Sequence, residues 1–204
     1  MKTDVYKFER SVDDIDNIVS IVEKTAAYNS LDTMQTLRLT LLSEELVELL
    51  PNLLICGEGS FWIENKGMNF EIHAAVRADD LLSGKERKEI LSVSTSGKNA
   101  AAVGIVSKIK IAAETMFANY ALSVGTAGDV ELEYDENSDF TQLGMFEDPI
   151  GYSNEWSLVN YKKKIKNDTP AWDELEKSII ANMADDVVVG IKDSKVEITI
   201  KKKL

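Results

Sequence analysis

The sequence predicts an α+β fold, a two-layer sandwich in which helices cover one face of a mixed, mostly antiparallel sheet. Two observations carry most of this. Strand-like alternation comes in two hairpins, at residues 60–77 and 187–201, and helical spacing fills the chain before each of them. The strands are also few and joined by short turns, so they pair antiparallel and need helices to bury their apolar side. The 204 residues are 44% hydrophobic and 28% charged, which suits one domain, 1–204, with a real core and a long insertion at about 83–170.

The elements run in order. Val5, Phe8 and their neighbours predict a first strand over 5–12. Ser11 with Asp14 three residues on is a capping-type start, and Ile15, Ile18, Val19 and Val22 keep helical spacing to about Tyr28, where Asn29 and Ser30 break it. A second helix begins at Asp32 or Thr33. Leu37, Leu41, Leu42, Leu46, Leu49 and Leu50 predict its buried stripe, and Pro51 ends it. After the turn residues Gly57 and Gly59, strands at 60–64 and 70–77 are joined by the segment 65–69, with Phe61, Ile63, Phe70, Ile72 and Ala74 on one buried face.

Residues 79–91 are mixed and charged, and 92–99 are small and polar. A strong helix is predicted over 100–122, a loop-like acidic stretch over 123–155 and a short helix over 156–166. Pro170 opens a last helix over 171–183, and strands at 187–191 and 196–201 close the chain.

Charge narrows the function. The net charge is −12, which argues against nucleic-acid binding, because phosphate contacts need clustered Lys and Arg. Between Lys110 and Lys162 there is no Lys or Arg, and ten Asp and Glu fall in that window. Such a surface, with Phe140, Met145 and Phe146 inside it, suits a basic protein partner. No apolar run is long enough for a membrane helix and residues 1–10 contain no apolar leader core, so a cytoplasmic protein without membrane contact is expected. The single cysteine, Cys56, forms no intrachain disulfide and reads as a small buried residue.

Other features carry weaker chemistry. His73 is the only histidine, and its strand parity opposes that of Phe70 and Ile72, which predicts an exposed sheet position. Asp135, Asn137 and Asp139 have calcium-loop spacing, but Phe140 and Phe146 stand where that loop needs Gly and Glu, so a solvated acidic loop is the better reading. Ser94, Thr95, Ser96, Gly97, Lys98 and Asn99 form a small polar loop feeding the helix at Ala100, a place where free N–H groups and Lys98 would receive an anion.

Two segments resemble a known family. The helix containing Leu41-Leu42-Ser43-Glu44-Glu45-Leu46-Val47-Glu48 is similar to the N-box helix of the GHKL, or histidine-kinase-like, ATPases. The segment 175–201, a helix followed by a hairpin, is similar to that family's last helix and final two strands. The closest likeness is to the anti-sigma-factor kinases. The resemblance implies the histidine-kinase-like ATPase fold, ATP and Mg²⁺ as cofactors, Glu44 or Glu45 as the residue that orients attacking water, and a metal position that falls on Glu48 or on Leu49, of which only Glu48 has a carboxylate to bind a cation. It implies adenine readout by Asp79 or Asp80 and phosphate contacts from the Ser96, Gly97, Lys98 and Asn99 loop. The sequence departs from the family at two places. Ala171-Trp172-Asp173-Glu174-Leu175 contains no glycine where a Gly-rich box would cradle phosphates, and Leu81 and Leu82 stand where Asp79 or Asp80 should be followed by Gly.

These features lead to three functions. The first is a regulatory protein of the anti-sigma-kinase type that acts by protein–protein contact, as a monomer or homodimer, with weak or lost ATP binding and no enzymatic activity. The second is an active, divergent Mg-ATP-dependent ATPase or serine kinase. The third is an acidic module, built on 123–155, that docks a basic protein.

Overall fold

The computed structural model describes residues 1–8, 12–49, 59–77, 108–109, 112–113, 155–167, 172, 178–192 and 195–204. Strands β1 (Tyr6–Phe8), β2 (Gly59–Lys66), β3 (Asn69–Arg77), β4 (Glu155–Ser157), β5 (Asp186–Lys192) and β6 (Lys195–Lys203) form one sheet in the order β1-β2-β3-β6-β5-β4. Every neighbouring pair is antiparallel. The helices are α1 (Val12–Tyr28), α2 (Thr33–Leu49), α3 (Leu158–Lys164), extended by a 3-10 turn at Ile165–Asn167, and α4 (Ile179–Met183). The chain is therefore α+β.

Strand alternation explains the core. Ile63, Ile72, Ile200 and Val187 stand opposite one another across β2, β3, β6 and β5, and all four are fully buried. A second such row runs Phe61, Ala74, Ile198, Val189 and Trp156. Ile18 and Val22 of α1, Leu39, Leu42 and Leu46 of α2, Leu158 and Tyr161 of α3, and Ile180 of α4 join these rows in one cluster. Lys162 of α3 donates to the Ala181 carbonyl at 2.7 Å, which ties α3 to α4 within the helical layer.

Local chemistry sets the element ends. α1 closes with Ser30 in the left-handed region at φ 54, while Leu31 N–H bonds the Ala26 carbonyl and Ser30 N–H bonds the Ala27 carbonyl. That double bond pattern satisfies the last carbonyls of a helix. α2 starts with a reciprocal cap: Gln35 N–H donates to Asp32 Oδ1 at 2.8 Å and Asp32 N–H donates to Gln35 Oε1 at 3.0 Å. Lys66 pairs with Asn69, so β2 and β3 are joined by a two-residue turn with Gly67 at φ +59, tighter than the expected 65–69 connection.

Four expectations change. The first strand is short, Tyr6–Phe8, and Val12 already belongs to α1. Of the stripe expected on α2, Leu42 and Leu46 are buried, but the buried face continues through Leu39, Ser43 and Val47, while Leu37 is 48% exposed. Leucines occur on both sides of α2, so hydrophobicity alone does not orient it. Trp156 and Ser157, read as the start of a helix, instead form the edge strand β4 together with Glu155, and Ser157 caps α3 through its side chain. Trp172 is helical, but the last helix is not continuous: Ser178 is extended and caps α4, its hydroxyl accepting from Ala181 N–H at 3.3 Å. Within the expected helix 100–122, the described residues Lys108, Ile109, Ala112 and Ala113 are helical and buried.

No helix among the described residues is long and apolar enough to cross a membrane. The cysteine Cys56, the acidic stretch 123–154 and its candidates Asp135, Asn137, Asp139, Phe140, Met145 and Phe146 lie outside the described residues.

Ser30 supplies a test of the α1–α2 joint. A left-handed residue with a Cβ is strained, and glycine removes that strain at some cost in unfolded-state entropy. Ser30→Gly should raise stability in urea denaturation by up to about 1 kcal/mol; a loss of stability would show that the joint does not hold this conformation.

Candidate functional site

The face of the sheet opposite the core rows holds a polar centre. Strand parity brings Trp62 and Glu64 of β2, Glu71 and His73 of β3, and Glu197 and Thr199 of β6 to that face. Trp62 stands directly opposite His73, and Glu64 directly opposite Glu71. His73 in turn stands opposite Thr199.

His73 is the hub. Its ring stacks on Trp62 with centroids 4.8 Å apart and planes 3° from parallel. Nδ1 lies 2.8 Å from Glu197 Oε1 and 3.1 Å from the Thr199 hydroxyl oxygen. Thr199 Oγ1 also donates to Glu197 Oε1 at 3.4 Å. Nε2 is buried without a hydrogen-bond partner, and Glu71 Oε2 is 3.8 Å from it. His73 was expected to be exposed; the parity is as expected, but the residue is only 7% exposed. The indole on one side and the β6 side chains on the other cover a position that an isolated hairpin would leave open.

Glu64 is held from two sides. Lys2 Nζ donates to Glu64 Oε1 at 2.8 Å and Trp62 Nε1 donates to the same oxygen at 3.0 Å. Lys2 holds the Glu64 carboxyl below its ordinary value; burial opposes this and the Trp62 N–H adds to it. The Lys2 ammonium also lies 5.0 Å from the Trp62 ring centroid.

Of the candidates from the sequence, Glu44 and Glu45 lie away from this centre. Glu44 and Glu45 sit half-buried on α2. Glu44 is two turns from exposed Leu37, on the flank turned away from the sheet. Glu48 lies one turn further along α2, and its side chain lies outside the described residues, as do Asp79, Asp80, Ser96, Gly97, Lys98 and Asn99. Of that set the structure places Glu44 and Glu45 only.

Sequence reasoning missed the His73 centre. Its signal was present as parity, because Trp62, Glu64, Glu71, His73, Glu197 and Thr199 all alternate with core residues. What joins them is the β3–β6 register, a pairing between residues more than 100 positions apart. Comparison with protein-family models, curated proteins and solved structures finds no match to this chain.

The Glu197 contact has a measurable consequence. Truncating it leaves a buried imidazole nitrogen without its carboxylate, a loss of about 1–3 kcal/mol. Glu197→Ala should lower stability by that amount in urea denaturation, and Glu197→Gln, which keeps an acceptor, by clearly less. Equal effects of the two variants would show that the carboxamide cannot replace the carboxylate contact.

Proposed function

We propose that this chain is a regulatory protein on a histidine-kinase-like ATPase scaffold, similar to anti-sigma-factor kinases, that works in the cytoplasm by contact with a protein partner and binds ATP weakly or not at all. The observation that carries the reading is the arrangement of the two ends of the chain. Two helices follow the first strand, α2 crosses the sheet over β3 and β6, and the closing hairpin β5–β6 docks beside β3. That arrangement supports a scaffold in which the N-box-like helix and the last hairpin belong to one layer pair.

The same reading assigns weak nucleotide binding. Residues 171–175 contain no glycine, and Asp173 and Glu174 would repel a triphosphate. Trp172, within that segment, packs against the core, which supports a structural rather than phosphate-cradling role there. Glu44 and Glu48 keep the four-residue spacing of a water-orienting and cation-binding pair on α2, with Glu45 as the alternative water-orienting residue, so any remaining Mg-ATP binding would act through them. Exposed apolar Tyr28, Met34 and Leu37 around the α1–α2 joint support a protein-binding surface.

Calorimetric titration with Mg-ATP tests the reading. Binding no tighter than about 1 mM, or about −4 kcal/mol, is expected. Micromolar binding that is lost in Glu44→Ala or Glu45→Ala would overturn the proposal in favour of an active ATPase or kinase.

A further inference from the structure

We propose that Glu64, Glu71 and His73 form a binding site for a divalent metal ion of the zinc class on the open face of the sheet, with Glu197 holding His73 in the ligating tautomer. The proposal does not rest on the nucleotide reading, whose candidate cation residue, Glu48, is on α2.

Three observations converge. One ligand atom from each of Glu64, Glu71 and His73 lies within 4.8 Å of the other two. The hairpin builds this grouping, because Glu64 and Glu71 are cross-strand partners and His73 is two residues from Glu71 on the same strand face. Like charges directly opposite on a sheet repel, and a cation between them removes that repulsion.

The second observation is the carboxylate at Nδ1. Glu197 Oε1 is 2.8 Å from Nδ1, the distance of a charge-assisted N–H···O bond. In the tautomer whose Nδ1 proton is directed at Glu197, with the Thr199 hydroxyl donating to the same carboxylate, Nε2 offers the lone pair a metal needs. A carboxylate on the far nitrogen is the arrangement that fixes tautomer and ring orientation in metal-ligating histidines and raises their basicity. Trp62 adds a second support by stacking on the ring and donating to Glu64.

The third observation is that Nε2 is buried and unpartnered while the carboxylates beside it are open. The His73 side chain is 9% exposed, against 45% for Glu71 and 39% for Glu64. The buried nitrogen is presented on one side, and the half-exposed carboxylates of Glu71 and of Glu64, the latter held by Lys2 and Trp62, complete the set from the solvent side. Zinc binds imidazole nitrogen and carboxylate oxygen at about 2.0–2.2 Å, so tetrahedral ligands stand about 3.3 Å apart. Glu71 Oε2, at 3.8 Å from Nε2, is already near that separation. Three protein ligands leave a fourth position for water. One imidazole with two carboxylates fits zinc better than calcium or magnesium, which take all-oxygen sets.

Lys2 is the competitor. Its ammonium supplies the positive charge at Glu64 that a metal would supply, so the ion must displace it from that carboxylate.

The test is titration of the chelator-stripped full chain with zinc chloride, read by calorimetry and by imidazole ¹⁵N resonances. His73 is the only histidine, so those resonances report on this site alone. All samples carry Cys56→Ser to remove the single thiol as a competing ligand. One equivalent of zinc should bind, with a large shift of the Nε2 resonance and little of Nδ1. Glu71→Gln, at a half-exposed position, should weaken binding at least tenfold; Glu197→Gln should weaken it about 10–100-fold. Lys2→Met should tighten it severalfold. If His73→Gln fails to fold, Glu71→Gln and the Nε2 shift of the unsubstituted histidine decide the matter. Zinc heats with no Nε2 shift, or an affinity unchanged by Glu71→Gln, would place the metal elsewhere on the acidic surface and overturn the proposal.

Discussion

The pairing of β3 with β6 is the constraint on which the rest of the structure depends. It runs without interruption from Asn69 opposite Lys203 to Arg77 opposite Lys195. These strands are separated by more than 100 residues, so closing them costs loop entropy that local hairpins do not pay. The return is that two separate hairpins, β2–β3 and β5–β6, become one sheet. Each hairpin alone has too little apolar surface to be stable; together they present the rows through Ile72 and Ala74 that α1, α2 and α4 cover.

The same register determines both faces. With Ile72 opposite Ile200 and Ala74 opposite Ile198, the residue between them, His73, must stand opposite Thr199 on the other side. Glu197, two residues from Thr199, then reaches the imidazole diagonally. A slip of one residue would send Val196, Ile198 and Ile200 to the open face and remove both the core row and the carboxylate from His73. The polar centre and the hydrophobic core are therefore two results of one pairing. On the open face Lys2 pairs with Glu64, which reduces the repulsion between the two glutamates opposite each other.

What was legible in the sequence is what local chemistry controls. The Asn29-Ser30 break, the Asp32 start and the alternation of Phe61, Ile63, Phe70 and Ile72 all follow from backbone and parity rules, and each is found in the structure. The orientation of α2 was not legible, because its leucines occupy more than one face and only the sheet beneath selects Leu39 over Leu37. β4 is three residues long, too short for alternation to separate it from the helix that follows. The break at Ser178 lies in an otherwise helical pattern and depends on a single capping hydroxyl. Burial of His73 required knowledge of a distant strand, and parity alone points to solvent. Of the candidate nucleotide residues, Glu44 and Glu45 lie on the flanks of α2, while the His73 centre lies across the sheet from them.

Native-state hydrogen exchange of the β3 and β6 amides tests the central claim most directly. If their pairing joins the two ends into one cooperative core, the amides of Ile72, Ala74, Ile198 and Ile200 should be among the slowest to exchange and should share one opening free energy, equal to that of global unfolding. Fast exchange in β6 while β3 remains protected would contradict this, because it would mean that the closing hairpin opens independently of the rest of the sheet.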